Sequence, residues 1–432
     1  MKLSAQLLGV LGASSLVLAV ASCSTPSALS SASPVTITFS SYTYGVQGAA
    51  GTGTQKLLDA FASAHPEVKV VPQSVPTADV LTKAKTDVAA GNAPDVVQLG
   101  YSKLAEAFQT LPVQSLEQIA GSEWKDHVAG INRALVDTGK KDGQVGALPF
   151  TVSIPTLFYN ADLFRKAGLD PNRPPTSIDE VRTDAAAITT SGHKGVYFGV
   201  VDSGKSDYLT QSVIDSAGGS TVGADGSVTV DSPEAVRGLS LVQSLTRDGL
   251  QPAVGLDDAT ASFSAGDLGM FVVSTAVAGS LQKAATGKFE LRSAAFPSFG
   301  AGKAAPTFSG AGLIVLSRDE AKQKAAWEFV KFLTSAEGYS MITKDIGYLP
   351  LRAGLEDDPR YLKDYFASNR LLLPPLGQLA AVSPYRSFPG QNANQAVVVL
   401  QDDAVAPIVL RGADPQEKLS AVASRIRELT GK

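Results

Sequence analysis

An α/β fold in two lobes is what this sequence predicts, and three observations carry the expectation. Strand-like and helix-like segments alternate from Val35 onward in β-α-β-α-β order. The third of the strand runs, "DVVQL", is apolar almost throughout, as suits a strand covered by helices on both faces. With 432 residues, 44% of them hydrophobic and 18% charged, the chain is too long for one simple core and well away from disorder.

The elements follow in order. "VTITF" (35–39) alternates apolar and polar residues, and "TQKLLDAFASAHP" has helical spacing that Pro66 ends. "VKVV" is a second strand, "ADVLTKAKTDVAAG" a helix closed by Gly91, and "DVVQL" the third strand. "SIDEV" puts Ser177 and Glu180 at capping-box spacing ahead of "RTDAAAITTSG". The glycine-rich 215–230 segment reads as a hairpin-like surface loop, and "SPEAVRGLSLVQSLTRDGL" as an amphipathic helix ending near Gly249. Ser317 with Glu320 and Thr334 with Glu337 repeat the capping-box spacing, while Asp414-Pro415 starts the last helix with proline at its first position.

Charge and cysteine content exclude several function classes. Lys+Arg total 37 against Asp+Glu 41, for a formal net charge of -4, without the basic excess of a nucleic-acid protein. A single cysteine excludes an internal disulfide and a Cys-rich metal site, and His65, His127 and His193 have no metal-ligand spacing. No cofactor is expected.

That cysteine is Cys23. Lys2 supplies a positive n-region and Leu7–Ala21 an apolar stretch of signal-peptide length, short of the about 20 residues a permanent span needs. Ala19-Val20-Ala21 fits ordinary cleavage, whereas Val20-Ala21-Ser22-Cys23 resembles the bacterial lipobox, in which the thiol takes a diacylglycerol and becomes the mature N-terminus. We read 1–22 as a lipoprotein signal peptide and 23–34, rich in Ser, Thr, Pro and Ala, as a flexible tether. The protein would then sit outside the cytoplasm, held at the cell membrane by lipid on Cys23.

Catalytic motifs are scarce. There is no G-x-S-x-G elbow, and Ser191-Gly192-His193-Lys194 spells S-x-x-K without its companion motifs. "GVQGAAGTGTQK" (45–56) stands between strand and helix, yet lacks the Gly-Lys-Ser/Thr ending of a phosphate loop, so a loop shaped by close backbone approach is expected. "DSGKSD" (202–207) has no distal glutamate for calcium and reads as a surface turn. Carboxylate pairs such as Asp257/Asp258 and Asp402/Asp403 are sequence neighbours, not two groups facing across a sugar.

Three stretches carry a sharper signal: "GALPFTVSIPTLFYNADLFRKAGLDPNRPPTSIDEV" (146–181), "FSAGDLGMFVVSTAVAGSL" (263–281) and "KAAWEFVKFLTSAEGYSMITKDIGYLPLR" (324–352). They resemble, in order, the three lobe-crossing regions of bacterial family 1 extracellular solute-binding proteins, the receptors of carbohydrate-type ABC importers. "GNAPDVVQ", "GLDPNRPP" and "GYLP" bring the likeness nearest to glycerol-3-phosphate and glycerophosphodiester receptors, over the whole chain from Val35. The resemblance implies a periplasmic-binding-protein-like fold with discontinuous lobes joined by three hinge crossings, here 35–150 with 272–346 and 151–271 with 347–432. It also implies a non-catalytic monomer that captures a small solute in the cleft and delivers it to two permease subunits and their ATPase.

Ligand contacts are implied only where the motif matches: Ser153 in "PFTVSIP", Ser274 in "MFVVST", Gly310 in "FSGAG" and Tyr348 in "GYLP". The departures are as informative. The tyrosine expected before the second helix aligns with Thr77, an acidic residue with Tyr101, and the arginine of glycerol-phosphate receptors with Val398-Val399. Losing that guanidinium removes the bidentate partner of a phosphate, although Arg386 could approach from the preceding loop. A neutral carbohydrate or polyol is therefore the expected ligand, with a glycerol phosphate ester as the rival and an exported glycan-active enzyme as the third reading. Of two tryptophans, Trp327 is expected in the core and Trp124 at the surface, leaving ring stacking to Tyr42, Tyr44, Tyr101, Tyr208 or Tyr348.

Overall fold

Two sheets organise the protein in a computed structural model, which describes residues 33–202 and 204–432. The lipobox, Cys23 and the signal peptide lie outside the described residues. The first sheet uses β1 (Val35–Ser41), β2 (Val68–Ser74), β3 (Val96–Gly100), β4 (Ala147–Ser153) and, from far along the chain, a strand at Ser309–Val315. The second uses β5 (Pro155–Asn160), β6 (Lys194–Phe198), β7 (Leu268–Ser274) and β8 (Leu291–Ala294), so Ser309–Val315 is β9.

Strand order in the first sheet is β2-β1-β3-β9-β4. β1 runs parallel to β2 and β3, which the intervening helices α1 (Ala49–Ala64) and α2 (Val80–Ala89) require, whereas β9 is antiparallel to both its neighbours. The second sheet has the order β8-β5-β7-β6, with only β6 and β7 parallel. β4 and β5 are buried along their whole length, so each is covered on both faces.

The chain passes between sheets at three places. Only Ile154 separates β4 from β5, and its backbone N–H and C=O bond Thr275 Oγ1 and N at 3.2 and 3.0 Å. The return to the first sheet is at Thr307–Ser309, where Thr307 N donates to Ser212 Oγ (2.8 Å) and Thr307 Oγ1 to Asp215 Oδ2 (3.0 Å). The last passage follows Gly347, with Leu349 N bonded to Val152 O at 3.0 Å. Residues 272–308, expected with the first lobe, thus pair in the second sheet through β7 and β8, and the 263–281 stretch does not cross. A fully apolar strand such as "LGMFVV" fits the interior of either sheet, so its partner is not encoded locally.

Local chemistry departs from expectation at a few element ends. Ser177 caps α3 (Ile178–Thr190) as expected, accepting from Glu180 N at 3.2 Å, and Asp414 caps the last helix, accepting from Glu417 N at 2.7 Å. The helix at Glu320–Leu333 is capped by Asp319 instead of Ser317, and that at Ala336–Met341 by Ser335 instead of Thr334. Thr334 instead closes the preceding helix and bonds His127 Nε2 at 2.7 Å. The 45–56 segment is helical from Ala49, and the two glycines inside that helix, Gly51 and Gly53, are there for contact. A Cβ on Gly51 would meet Val46 O at 1.8 Å, and one on Gly53 would meet Ile346 Cγ1 at 2.6 Å and Asp345 O at 2.7 Å. Trp327 is buried, donating to Glu123 Oε2 at 3.0 Å, and Trp124 packs partly buried beside it.

Candidate functional site

A cavity of about 550 Å³ opens where the strand ends of the two sheets meet, a size typical of small-molecule sites. The first sheet contributes Ser153 from the end of β4, Ser309 and Gly310 from β9, and Gly100 with Ser102 beyond β3. Ser153 and Ser309 are register partners, so their backbones lie side by side at the rim. Gly310 has φ 129, and a Cβ there would lie 2.0 Å from Thr151 O; only glycine lets β9 approach β4 this closely.

Tyr42 and Tyr348 line the same wall. Burial, then the neighbouring Tyr348 phenol, pushes the Tyr42 hydroxyl well above the usual tyrosine range. Tyr348 is raised for the same first reason, with Tyr42 and Thr151 opposing through hydrogen bonding. Both phenols stay neutral near pH 7 and can donate or accept. Behind them, Gln98 is fully buried, and its Oε1 accepts from Ser41 Oγ (2.6 Å) and Thr43 Oγ1 (3.0 Å).

The second lobe supplies Ser274, Asn394, Val397 and Val398, with Asp202, Gly204, Lys205 and Ser206. Ser274 ends β7, where its Oγ accepts from Ala276 N at 3.1 Å, leaving the hydroxyl proton for another acceptor. Tyr208, first residue of the helix Tyr208–Ser216, stands behind Ser274: burial raises its pKa and a hydrogen bond with Ser274 opposes the rise. Asn394, Val397 and Val398 come from the helix Ala393–Leu400, which packs against the Tyr101–Thr110 helix of the other lobe across the opening.

Charges at the cavity are already engaged. Lys103 Nζ donates to Thr77 O (2.8 Å) and Ala78 O (3.0 Å), and burial lowers its pKa. Lys205 Nζ pairs with Asp402 Oδ1 at 2.6 Å. Asp202 Oδ1 accepts from Gly204 N at 2.9 Å. Arg386 is not in the lining; its Nη1 donates to Val222 O at 3.1 Å. Val397 and Val398 line the cavity where the glycerol-phosphate likeness would place an arginine near Val398-Val399. Among the described residues no cluster of His, Cys, Asp or Glu could hold a metal ion, and no helix is long and apolar enough to cross a membrane.

Of the residues expected at the ligand, Ser153, Ser274, Gly310 and Tyr348 converge on this one cavity. Tyr44 and Tyr101 stand outside its lining, and Tyr208 is one shell back. Tyr101 is buried edge-on to Phe308, ring centroids 5.0 Å apart, in the wall behind the opening. Sequence reasoning missed Ser102 and Asn394, as well as Asp202, Gly204, Lys205 and Ser206 of the stretch read as a surface turn. Lys205 there has φ 55, a left-handed conformation uncommon for lysine that the order of residues along the chain does not announce.

Comparison with known proteins places this geometry. The profile of the bacterial extracellular solute-binding protein family matches residues 45–340. The sn-glycerol-3-phosphate-binding periplasmic protein UgpB of Pectobacterium atrosepticum is 28% identical over 341 residues, covering 75% of this chain and 76% of that protein. Among solved structures, the cyclic alpha-maltosyl-1,6-maltose binding protein of Arthrobacter globiformis aligns with TM-score 0.79 and 22% identity, covering 92% of this chain and 99% of that one. UgpB of Mycobacterium tuberculosis in complex with glycerophosphocholine aligns equally well, with TM-score 0.79, 21% identity, and 92% and 98% coverage.

Proposed function

The chain belongs to the bacterial extracellular solute-binding protein family, and on that premise we propose that it is the receptor of an ABC importer for a neutral carbohydrate or polyol. The observation that carries this reading is the lining of the 550 Å³ cavity: hydroxyls of Tyr42, Ser153, Ser274 and Tyr348, the Asn394 amide, and two lysines whose charges are spent on protein partners. Hydroxyl and amide groups exchange hydrogen bonds with sugar hydroxyls, and a tyrosine face covers the apolar side of a ring. Contacts from both lobes give the ligand a differential affinity for the closed form, which permease subunits and their ATPase would then engage. Lipid on Cys23 would keep the loaded receptor near them. Cys23→Ala should release the protein from the membrane fraction, and retention of that variant would refute the anchor.

Calorimetric titration decides the ligand class. Micromolar or tighter binding of a sugar or polyol is expected, with no heat from glycerol-3-phosphate or glycerophosphocholine. Tight phosphate-ester binding without sugar binding would transfer the assignment to the rival that the Pectobacterium relative favours. A turnover screen addresses the enzyme reading, which needs two carboxylates facing across the substrate. Among the described lining residues the carboxylate is Asp202.

A further inference from the structure

The wall behind the binding cavity has a fixed hydrogen-bond direction, and two backbone N–H groups set it. Ser41 Oγ accepts from Thr43 N at 3.1 Å and from Tyr44 N at 3.2 Å, which fills both acceptor positions of the hydroxyl. The Ser41 hydroxyl then donates to Gln98 Oε1 at 2.6 Å, where Thr43 Oγ1 also donates at 3.0 Å. A reversed Gln98 amide would aim Nε2 at a serine oxygen that is already filled, so the amide has one orientation.

Gln98 Nε2 is therefore turned away from Ser41 and Thr43. It is sealed from solvent and has no hydrogen-bond partner among the described residues, an unusual state for a buried donor. Tyr42 stands between the two residues that hold Oε1, and the Gln98 amide acts on its phenol. Burial and then the Tyr348 phenol raise the Tyr42 pKa, while the Thr151 hydroxyl and the Gln98 amide oppose the rise. Opposition of that sign comes from a group that donates to the phenol oxygen. Thr151 Oγ1 accepts from Ala311 N at 3.0 Å, so its proton too is left for a phenol. Tyr42 and Tyr348, both in the cavity lining, thus have donors behind them and the cavity ahead.

We propose that Gln98 is a positioning residue: its amide engages the Tyr42 oxygen and turns the phenol protons of Tyr42 and Tyr348 into the cavity, so that this wall gives hydrogen bonds to solute oxygens. This rests on the carbohydrate reading above and adds what the wall selects, an oxygen that accepts. A hydroxyl, ring or glycosidic oxygen meets that requirement.

Gln98→Glu tests the direction, because it keeps an acceptor for Ser41 and Thr43 and replaces only the Nε2 donor with an oxygen. With three hydroxyls around it that carboxyl is ionised at about pH 8.5, can only accept, and draws the Tyr42 proton away from the cavity. Calorimetry on the full-length protein at that pH uses glucose, mannose, maltose, trehalose and glycerol. Every solute that binds the parent should bind the variant about tenfold or more weakly. The loss should vanish when Tyr42→Phe is already in place, since the phenol proton is what Gln98 directs. An affinity within about twofold of the parent, or the same loss with and without the Tyr42 hydroxyl, overturns the positioning role and leaves the receptor reading standing. If none of these solutes binds the parent, the carbohydrate reading fails instead. The NMR signal of the Gln98 side-chain amide, read without ligand, covers that case and a Gln98→Glu variant that does not fold. It should move on Tyr42→Phe, and an unmoved signal overturns the role of Gln98.

Discussion

The two walls of the cleft are built by different physics. On the first-lobe side, ligand-facing groups sit at strand ends locked from behind: Gly310 is pressed onto Thr151, and Ser41, Thr43 and Gln98 form a buried hydrogen-bonded set under Tyr42. On the second-lobe side Asn394 sits near a helix start, and Asp202 and Lys205 lie in an irregular stretch where Lys205 is held by a half-exposed pair with Asp402. Buried hydrogen-bonded groups are rigid because breaking them strands a polar atom, whereas exposed pairs exchange with water at little cost. The first wall is therefore preorganised, and the second can adjust as the lobes close.

Gly310→Ala should have the largest effect. The added methyl collides with a backbone carbonyl that cannot yield, at a φ that L-residues avoid, so about 3 kcal/mol or more of stability should be lost. Thermal unfolding checks it; a variant within about 0.5 kcal/mol of the parent would mean the first wall is pliable after all. Gln98→Leu should cost less, about 1–2 kcal/mol, because Ser41 and Thr43 lose their shared acceptor but keep each other at 3.1 Å. Ligand affinity should fall in parallel, since Tyr42 loses its support.

The same contrast explains what the sequence made legible. Strand and helix positions and the α/β class followed from periodicity, whereas Ser153, Ser274, Gly310 and Tyr348 were implied by the family resemblance, and all four line the cavity. These are features of the rigid framework. What stayed hidden depends on tertiary placement: that β7 and β8 pair with β5, that Val398 faces the cavity, and that Asp202, Gly204, Lys205 and Ser206 reach the opening. Tyr44 and Tyr101 stood with Tyr348 as stacking candidates, but without its motif, and sequence alone does not tell a tyrosine in a wall from one facing a cavity.

Acid should separate the lobes. In the first, burial and the adjacent Arg352 hold His127 down to about 4 from an ordinary 6.5. Its neutral form is the one the fold prefers, so its contribution is full above pH 6.5 and is lost as pH falls through about 4. In the second, burial pushes Asp215 up to about 6 from 3.8, against the opposing influence of Thr307 and Arg386. Its contribution is full below pH 3.8 and is lost as pH rises through about 6. His127→Gln should therefore blunt acid destabilisation, and Asp215→Asn should raise stability at pH 7 relative to pH 4.5; urea unfolding at the two pH values reads both. If the two variants shift the pH profile in the same direction, the assignment of opposite charge preferences to the lobes fails.

Lys205 should give the smallest effect and the finest test of an adaptable second wall. Its ion pair with Asp402 leaves the two side chains 39% and 45% exposed, so removing it should cost no more than about 0.5 kcal/mol and matter less in high salt. The backbone opposes that loss: a non-glycine residue at φ 55 carries a strain of about 1 kcal/mol that glycine does not. Lys205→Ala and Lys205→Gly lose the same ion pair, so the difference between them reads the backbone alone. Glycine should come out more stable than alanine by about 0.5–1 kcal/mol in thermal unfolding. Ligand affinity should move the other way, because a turn freed from its ion pair and given glycine's freedom must be ordered again on closure. An alanine variant as stable as the glycine one would place the constraint on this turn in the ion pair instead of the chain.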